Sequence, residues 1–247
     1  MPNYARPIAS KLPRVGTTIF TVMSRLAQEH GAINLSQGFP DFDCAPELRA
    51  LVTKYINAGL NQYPPMAGVP ALREAVAEKV EQLYGTAYDA EHEVTIVPGA
   101  TYGIYTAMAA LVRPGDEVIL FEPTYDSYAP AVEVHGGKPV YVQLTYPEYA
   151  IDWNAVERAI TPRTRAIVIN TPNNPTASVL SAEDMRMLAA MLRDTDIVVV
   201  SDEVYEHIVF DGHRHQSVAR IRDLADRSFI VSSFGKTYHV TGWKMGY

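Results

Sequence analysis

The chain has 247 residues, 47% apolar and 20% charged, which excludes disorder and collagen-like repeats and suits one large globular domain, or one plus a fragment. Asp and Glu outnumber Lys and Arg by 28 to 21, a net charge of −7, and the absence of a clustered basic run argues against a nucleic-acid partner. The single Cys44 permits no intramolecular disulfide and leaves a cysteine-based zinc site without its usual ligands; with no signal-like or membrane-spanning apolar run, a soluble cytoplasmic protein away from membranes is expected.

In chain order, an irregular arm extends to about Cys44. Gly68-Val69-Pro70 then opens a helix, with Val69, Leu72, Val76, Val80 and Leu83 at helical spacing and Gly85 to end it. Val94 to Val97 reads as a short strand, Ala100 to Val112 as a helix stopped by Arg113-Pro114-Gly115, and Glu117 to Phe121 as a strand. Strands follow at Lys138 to Leu144 and Arg165 to Ile169, separated by a helix from Asp152 to Ile160. Ser181 caps a helix to Arg193, with Asp184 three residues on and Met185, Leu188, Ala189 and Leu192 on one face. Ile197 to Val200 and Ser228 to Val231 read as strands buried on both faces. The alternation predicts an α/β domain, a mostly parallel sheet between helical layers.

In such a sheet a ligand binds beyond the carboxyl ends of the strands. Five polar clusters fall there: Pro98 to Thr101, Glu122 to Tyr125, Asn170 to Thr176, Ser201 to Glu203, and Ser232 to Lys236. Gly99-Ala100-Thr101 can bring backbone N–H groups at a helix start close to a phosphate, or can be a plain turn with a Thr cap. Its glycine spacing matches neither a dinucleotide fingerprint nor a Walker loop. Asp202 ends an apolar strand and needs a cationic or donor partner, unless it only caps the next turn. Tyr205 reaches the same partner if Asp202 to Tyr205 forms a helical turn, and otherwise packs in the core. The Asn170 to Thr176 loop can present an amide rigidly into a site or be only a loop. Tyr125 can offer a face to a flat ligand or simply pack. Lys236 is either a solvated loop lysine or an amine of lowered proton affinity, a nucleophile for carbonyl compounds. The histidines show no zincin pattern, no metal is expected, and His213 and His215 read as surface residues.

Together these clusters resemble the class I aminotransferases among the fold-type-I pyridoxal 5'-phosphate enzymes. The stretches GTTIFTVMS, INLSQGFPDFD, NQYPPMAGVPALREAVA, GDEVILFEPTYDSY, NTPNNPTA, SDEVYEHI and SSFGKTYHVTGWKMGY occur in the family's order. They look most like the methionine aminotransferase branch, near the kynurenine–oxoglutarate transaminases. The resemblance implies an amino acid and a 2-oxo acid as substrates of a ping-pong transamination. It assigns Lys236 to the Schiff base with the cofactor and to proton transfer between substrate Cα and cofactor C4′. Asp202 would pair with the pyridinium nitrogen, Tyr205 and Asn174 with the phenolic oxygen, and Tyr125 with the ring face. Ala100, Thr101 and Ser233 would hold the phosphate, with Tyr63 reaching in from a second subunit of a homodimer. Gly38 matches a backbone position beside the substrate carboxylate.

Eight residues after Lys236, where many family members have arginine, stands Lys244. It supplies charge to the phosphate without arginine's bidentate fork. The resemblance further implies residues 1–45 as an N-terminal arm with part of a small domain, and 46–247 as a PLP-transferase-like large domain, incomplete at its C-terminus. The C-terminal small domain, with its carboxylate-binding arginine, is expected to be missing. A C–S β-lyase with the same cofactor, and a catalytically incomplete PLP-binding fragment, stay open as alternatives.

Overall fold

Alternating apolar residues along the strands decide the layering of this protein. In the computed structural model, which describes residues 9–38 and 41–247, five strands form an all-parallel sheet. They are β1 (Glu117–Glu122), β2 (Lys138–Gln143), β3 (Thr164–Asn170), β4 (Val198–Asp202) and β5 (Ser228–Val231), in spatial order β2-β1-β3-β4-β5. Successive strand residues face opposite ways. Val118, Leu120, Ala166, Val168 and Val200 therefore pack in one layer with Ile104, Met108 and Val132. Ile119, Phe121, Ile167, Ile169 and Val199 pack in the other with Val156, Met185, Leu188 and Leu192. The expected layered α/β architecture is thus present, with helices packed on both faces of the central strands β1, β3 and β4. Each fully buried Leu or Met of these layers contributes about 2–3 kcal/mol.

Local signals account for most of the covering helices. Below, α1 is Ile19–Glu29, α2 Pro46–Asn57, α3 Pro70–Tyr84, α4 Ala100–Leu111, α5 Tyr128–Glu133, α6 Trp153–Ala159, α7 Ala182–Leu192, α8 Arg222–Ala225 and α9 Phe234–Thr237. Helix α7 begins with a reciprocal capping box: Ser181 Oγ accepts from the Asp184 N–H at 3.1 Å, and Asp184 Oδ2 accepts from the Ser181 N–H at 2.8 Å. Helix α3 starts on Pro70 and stops at Gly85, whose φ of +85° is left-handed. Its inward face includes Arg73 beside Val76 and Val80. The guanidinium is satisfied by donating to the carbonyls of Gly68, Ala90 and Glu91. Among the described residues no helix is long and apolar enough to cross a membrane.

Four expectations need correction. The strand at Val94 to Val97 reduces among the described residues to one antiparallel bridge, Val97 to Gly246, with the Ile96 N–H given instead to the Ala67 carbonyl at 2.9 Å. Strand β5 is not buried on both faces, since Phe229 is 44% exposed, and among the described residues it pairs with no strand but β4. The arm before Cys44 is not wholly irregular, since α1 occupies part of it, capped by Thr18. Its apolar Ile19, Val22, Met23 and Leu26 do carry the helical spacing. His215 is buried rather than on the surface, because Glu203 Oε2 lies 2.8 Å from its Nε2; His213 is exposed as expected.

The chain divides into two compact units, Met1–Asp43 and Cys44–Tyr247. The first holds α1, and there the Asn34 amide donates to Ser24 Oγ at 3.0 Å. The second holds the sheet.

Candidate active site

The strand order sets where a ligand can sit. From β1 the chain crosses to β2 on one side and then to β3 on the other, so β1 and β3 flank the switch point, and the crevice opens at their carboxyl ends. The turns after β1, β3, β4 and β5 all reach this end of the sheet, and they carry Tyr125, Asn174, Asp202 with Tyr205, and Lys236.

Asp202 closes β4, and its side chain is buried. Its Oδ2 accepts from the Tyr128 hydroxyl at 2.6 Å and its Oδ1 from the Val204 N–H at 3.2 Å. Burial pushes its pKa up to about 6; these two donors pull the other way and the neighbouring Glu203 charge adds to the rise. Among the described residues no lysine or arginine pairs with it. It therefore both caps the following turn and remains a buried acid short of a cation.

Asn170 ties two loops together. Its amide donates to the Asp202 carbonyl at 3.0 Å, and its Oδ1 accepts from the Asn174 N–H at 2.7 Å. The Tyr205 hydroxyl has its pKa raised by burial and then by the Asp202 charge, while the neighbouring Asn174 side chain pulls it the other way. Tyr205 sits on a tight turn rather than a helical one, with the Ile208 N–H donating to its carbonyl at 2.7 Å. Above its ring, at 5.4 Å from the centroid, stands Lys236 Nζ. Lys236 lies on α9 and opens to solvent, yet partial desolvation lowers its pKa.

On the opposite side Tyr125 packs edge-on against Tyr128, with ring centroids 5.6 Å apart, and its hydroxyl lies near Thr101. Burial raises the Tyr125 pKa. Thr101 lies in the first turn of α4, whose N-cap Gly99 (φ +88°) makes no side-chain cap, leaving the N–H groups there for a ligand. A Cβ placed on Gly99 would lie 3.8 Å from Lys244 Cα, and one on Gly246 would lie 3.0 Å from the Ala100 nitrogen. Ser233 precedes α9 and bridges to Gly246. Ala100, Thr101, Ser233 and Lys244 are thus gathered at one helix start.

The sequence model of the family described as aminotransferase class I and II matches residues 30–247. This chain belongs to that family. It is 52% identical over 238 residues to the methionine aminotransferase of Escherichia coli K12, an alignment covering 96% of this chain and 62% of that protein. A solved E. coli structure, reported as identifying a methionine aminotransferase function, superposes with a TM-score of 0.95 at 51% identity, over 98% of this chain and 63% of that one. The N-succinyldiaminopimelate aminotransferase structure from Mycobacterium tuberculosis gives 0.93 at 45% identity, over 97% and 63%. The chain therefore spans less than two thirds of the length of these relatives.

The family's cofactor is pyridoxal 5'-phosphate, and the donor set of this chain fits it. A buried acid without a cation suits a pyridinium nitrogen, a Tyr–Asn pair suits a phenolate oxygen, and an uncapped helix start beside a lysine suits a phosphate dianion. Tyr63 is 99% exposed, and Gly38 is an exposed residue of the first unit. Phe39 and Pro40 of its motif lie outside the described residues. Sequence reasoning overlooked Tyr128 and the linking role of Asn170. Tyr128 stands three residues after Tyr125, the one local hint that both face the same way.

Proposed function

We propose that the protein to which this chain belongs is a pyridoxal 5'-phosphate-dependent aminotransferase, moving the amino group of an amino acid to a 2-oxo acid by a ping-pong route. The observation that carries the reading is Asp202: a buried carboxylate with a raised pKa and only neutral donors, at the same strand ends as Lys236 and the Tyr205–Asn174 pair. The methionine aminotransferase named among the relatives supports methionine as a donor, with aromatic amino acids beside it.

Bound, the cofactor supplies an aldehyde that condenses with amines and a ring that takes up the electron pair left when Cα loses a proton. The chain's own residues do the rest. Lys236 Nζ takes the proton from substrate Cα and returns it at cofactor C4′; its lowered pKa keeps more of it neutral and able to accept. Asp202, charged at pH 7, holds the proton on the pyridine nitrogen. Asn174 and Tyr205 donate to the phenolic oxygen, and the Tyr125 ring limits tilting. Ala100, Thr101, Ser233 and Lys244 bind the phosphate, and Gly38 lies beside the substrate carboxylate.

We place the working enzyme in the cytoplasm as a homodimer. Helix α2 buries none of its residues, and Leu51, Tyr55 and Ile56 stay exposed, as do Leu60, Tyr63 and Met66 after it. Such an apolar strip supports a protein interface, here with a second copy into whose site Tyr63 extends.

The test is the visible absorbance of the purified chain with added pyridoxal 5'-phosphate, then borohydride reduction and peptide mapping. A pyridoxyl group on Lys236, with conversion of the cofactor to its amine form on adding methionine, supports the proposal. Folded protein that places no adduct on Lys236 overturns it for this chain.

A further inference from the structure

A second buried carboxylate, Glu206, lies outside the site but is wired to it. Its side chain is 3% exposed and takes four donors: Lys79 Nζ at 2.5 Å, the Tyr84 hydroxyl at 2.5 Å, Ser232 Oγ at 2.8 Å and the Tyr247 hydroxyl at 3.0 Å. Burial opposes its charge, yet Lys79 and these hydroxyls hold its pKa below the usual carboxylate value. Lys79 Nζ also lies 2.6 Å from the Tyr247 hydroxyl. A small cavity lined by Val80, Tyr84, Glu203, Ser232 and Tyr247 adjoins the cluster.

Two of the donors lead to the proposed phosphate cup. Ser232 precedes Ser233. Tyr247 exchanges two backbone hydrogen bonds with Ser232, at 2.9 and 3.0 Å, while Gly246 exchanges two with Val97, at 2.8 and 2.9 Å. A Cβ on Gly246 would meet Ser232 O at 2.7 Å and the Ala100 nitrogen at 3.0 Å. The segment Lys244 to Tyr247 is therefore seated against the first residue of α4 with no space between, and Glu206 holds the side chains of Tyr247, at its end, and of Ser232, whose backbone pairs with Tyr247. Helix dipoles and donor N–H groups act over a few ångströms, so their hold on an anion depends on this seating.

We propose that Glu206 is a positioning residue for phosphate recognition: through Ser232 and Tyr247 it holds Ser233, Lys244 and the start of α4 in one cup without touching the ligand. The inference rests on the cofactor reading above. Its consequence is selective. Loss of the Glu206 charge weakens binding of the phosphorylated cofactor far more than that of pyridoxal, whose ring is held by Asp202, Asn174 and Tyr205.

The test compares the Kd of pyridoxal 5'-phosphate and of pyridoxal for the full chain, with inorganic phosphate as competitor, in wild type, Glu206→Gln and the milder Tyr247→Phe. The expected result is a preference for the phosphorylated form that falls about tenfold in Glu206→Gln and by less in Tyr247→Phe, with weaker competition by inorganic phosphate. Lys79→Arg, which keeps the cation, retains the preference. A wild-type preference that survives unchanged in folded variants overturns the inference alone, as does a uniform loss for both ligands, the mark of a merely structural role. A wild type that does not distinguish the ligands overturns the inference and the cofactor reading together.

Discussion

Tyr128 donates its hydroxyl to Asp202 Oδ2 at 2.6 Å across 74 residues of chain. The bond joins the start of α5 to the end of β4 at the place where the proposed site needs a fixed carboxylate. Because a donor to the charged form holds a carboxyl pKa down, Tyr128 restrains the rise that burial imposes on Asp202.

Tyr128→Phe removes one hydroxyl from a buried, well-packed position. Its expected stability loss is about 1–2 kcal/mol, and the Asp202 pKa moves above its wild-type value of about 6. Carbon-detected NMR titration of the labelled aspartate measures the shift. An unchanged midpoint would show that the 2.6 Å bond does not tune this acid.

Asp202→Asn has opposite effects on stability and on cofactor binding. The folded-state pKa of about 6 lies above an ordinary unfolded value of about 3.9. Between those values the folded chain holds the extra proton, so stability falls as pH rises through this window and the full penalty, about 3 kcal/mol, persists above it. In cofactor-free protein the variant is expected to raise Tm at pH 7.5 and to change it little at pH 4, while cofactor binding is lost. Thermal unfolding at the two pH values checks this; an equal shift at both would refute it.

Gly68→Ala tests a close approach that lies before the sheet. Gly68 has φ +104°, and an added Cβ would fall 2.4 Å from Ile96 Cγ1, so both backbone strain and overlap oppose the change. A loss of about 2–4 kcal/mol is expected in urea unfolding, with the slope unchanged. Gly212→Ala, at φ +77° in open space, serves as the comparison and is expected to lose about 1 kcal/mol from strain alone.

Ser181→Ala removes the Oγ half of the capping box at α7. The expected cost is about 1 kcal/mol, without effect on cofactor binding, since α7 packs in the layer with Ile167 and Leu188 rather than at the strand ends that carry the site. Denaturant midpoints with parallel binding titrations separate the two readouts.

Much of this architecture was legible along the chain. Strand composition marked β1 and β3, a nearly continuous apolar run marked β4, the Ser181–Asp184 spacing marked α7, and the residues after each strand marked the chemistry, because these signals are local in period and composition. The misreadings have non-local causes. His215 looked like a loop histidine and is buried by Glu203, twelve residues away. Val94 to Val97 had strand composition, yet among the described residues it makes a single bridge, to Gly246, and gives the Ile96 N–H to the Ala67 carbonyl. Strand β5 read as buried on both faces although Phe229 is exposed, since nothing in a strand's own sequence says whether it will be an edge.

The sequence alone determined the order of β1 to β5 along the chain, the family, and which residue types end each strand, since all of these depend on neighbours in the chain. Only the tertiary structure decided that Tyr128 restrains Asp202, that Asn170 ties Asn174 to β4, and that Glu206 joins α3 to the segment beside α4. Hydrogen bonds between buried groups form where packing brings distant segments within about 3 Å, and no spacing along the chain encodes that distance.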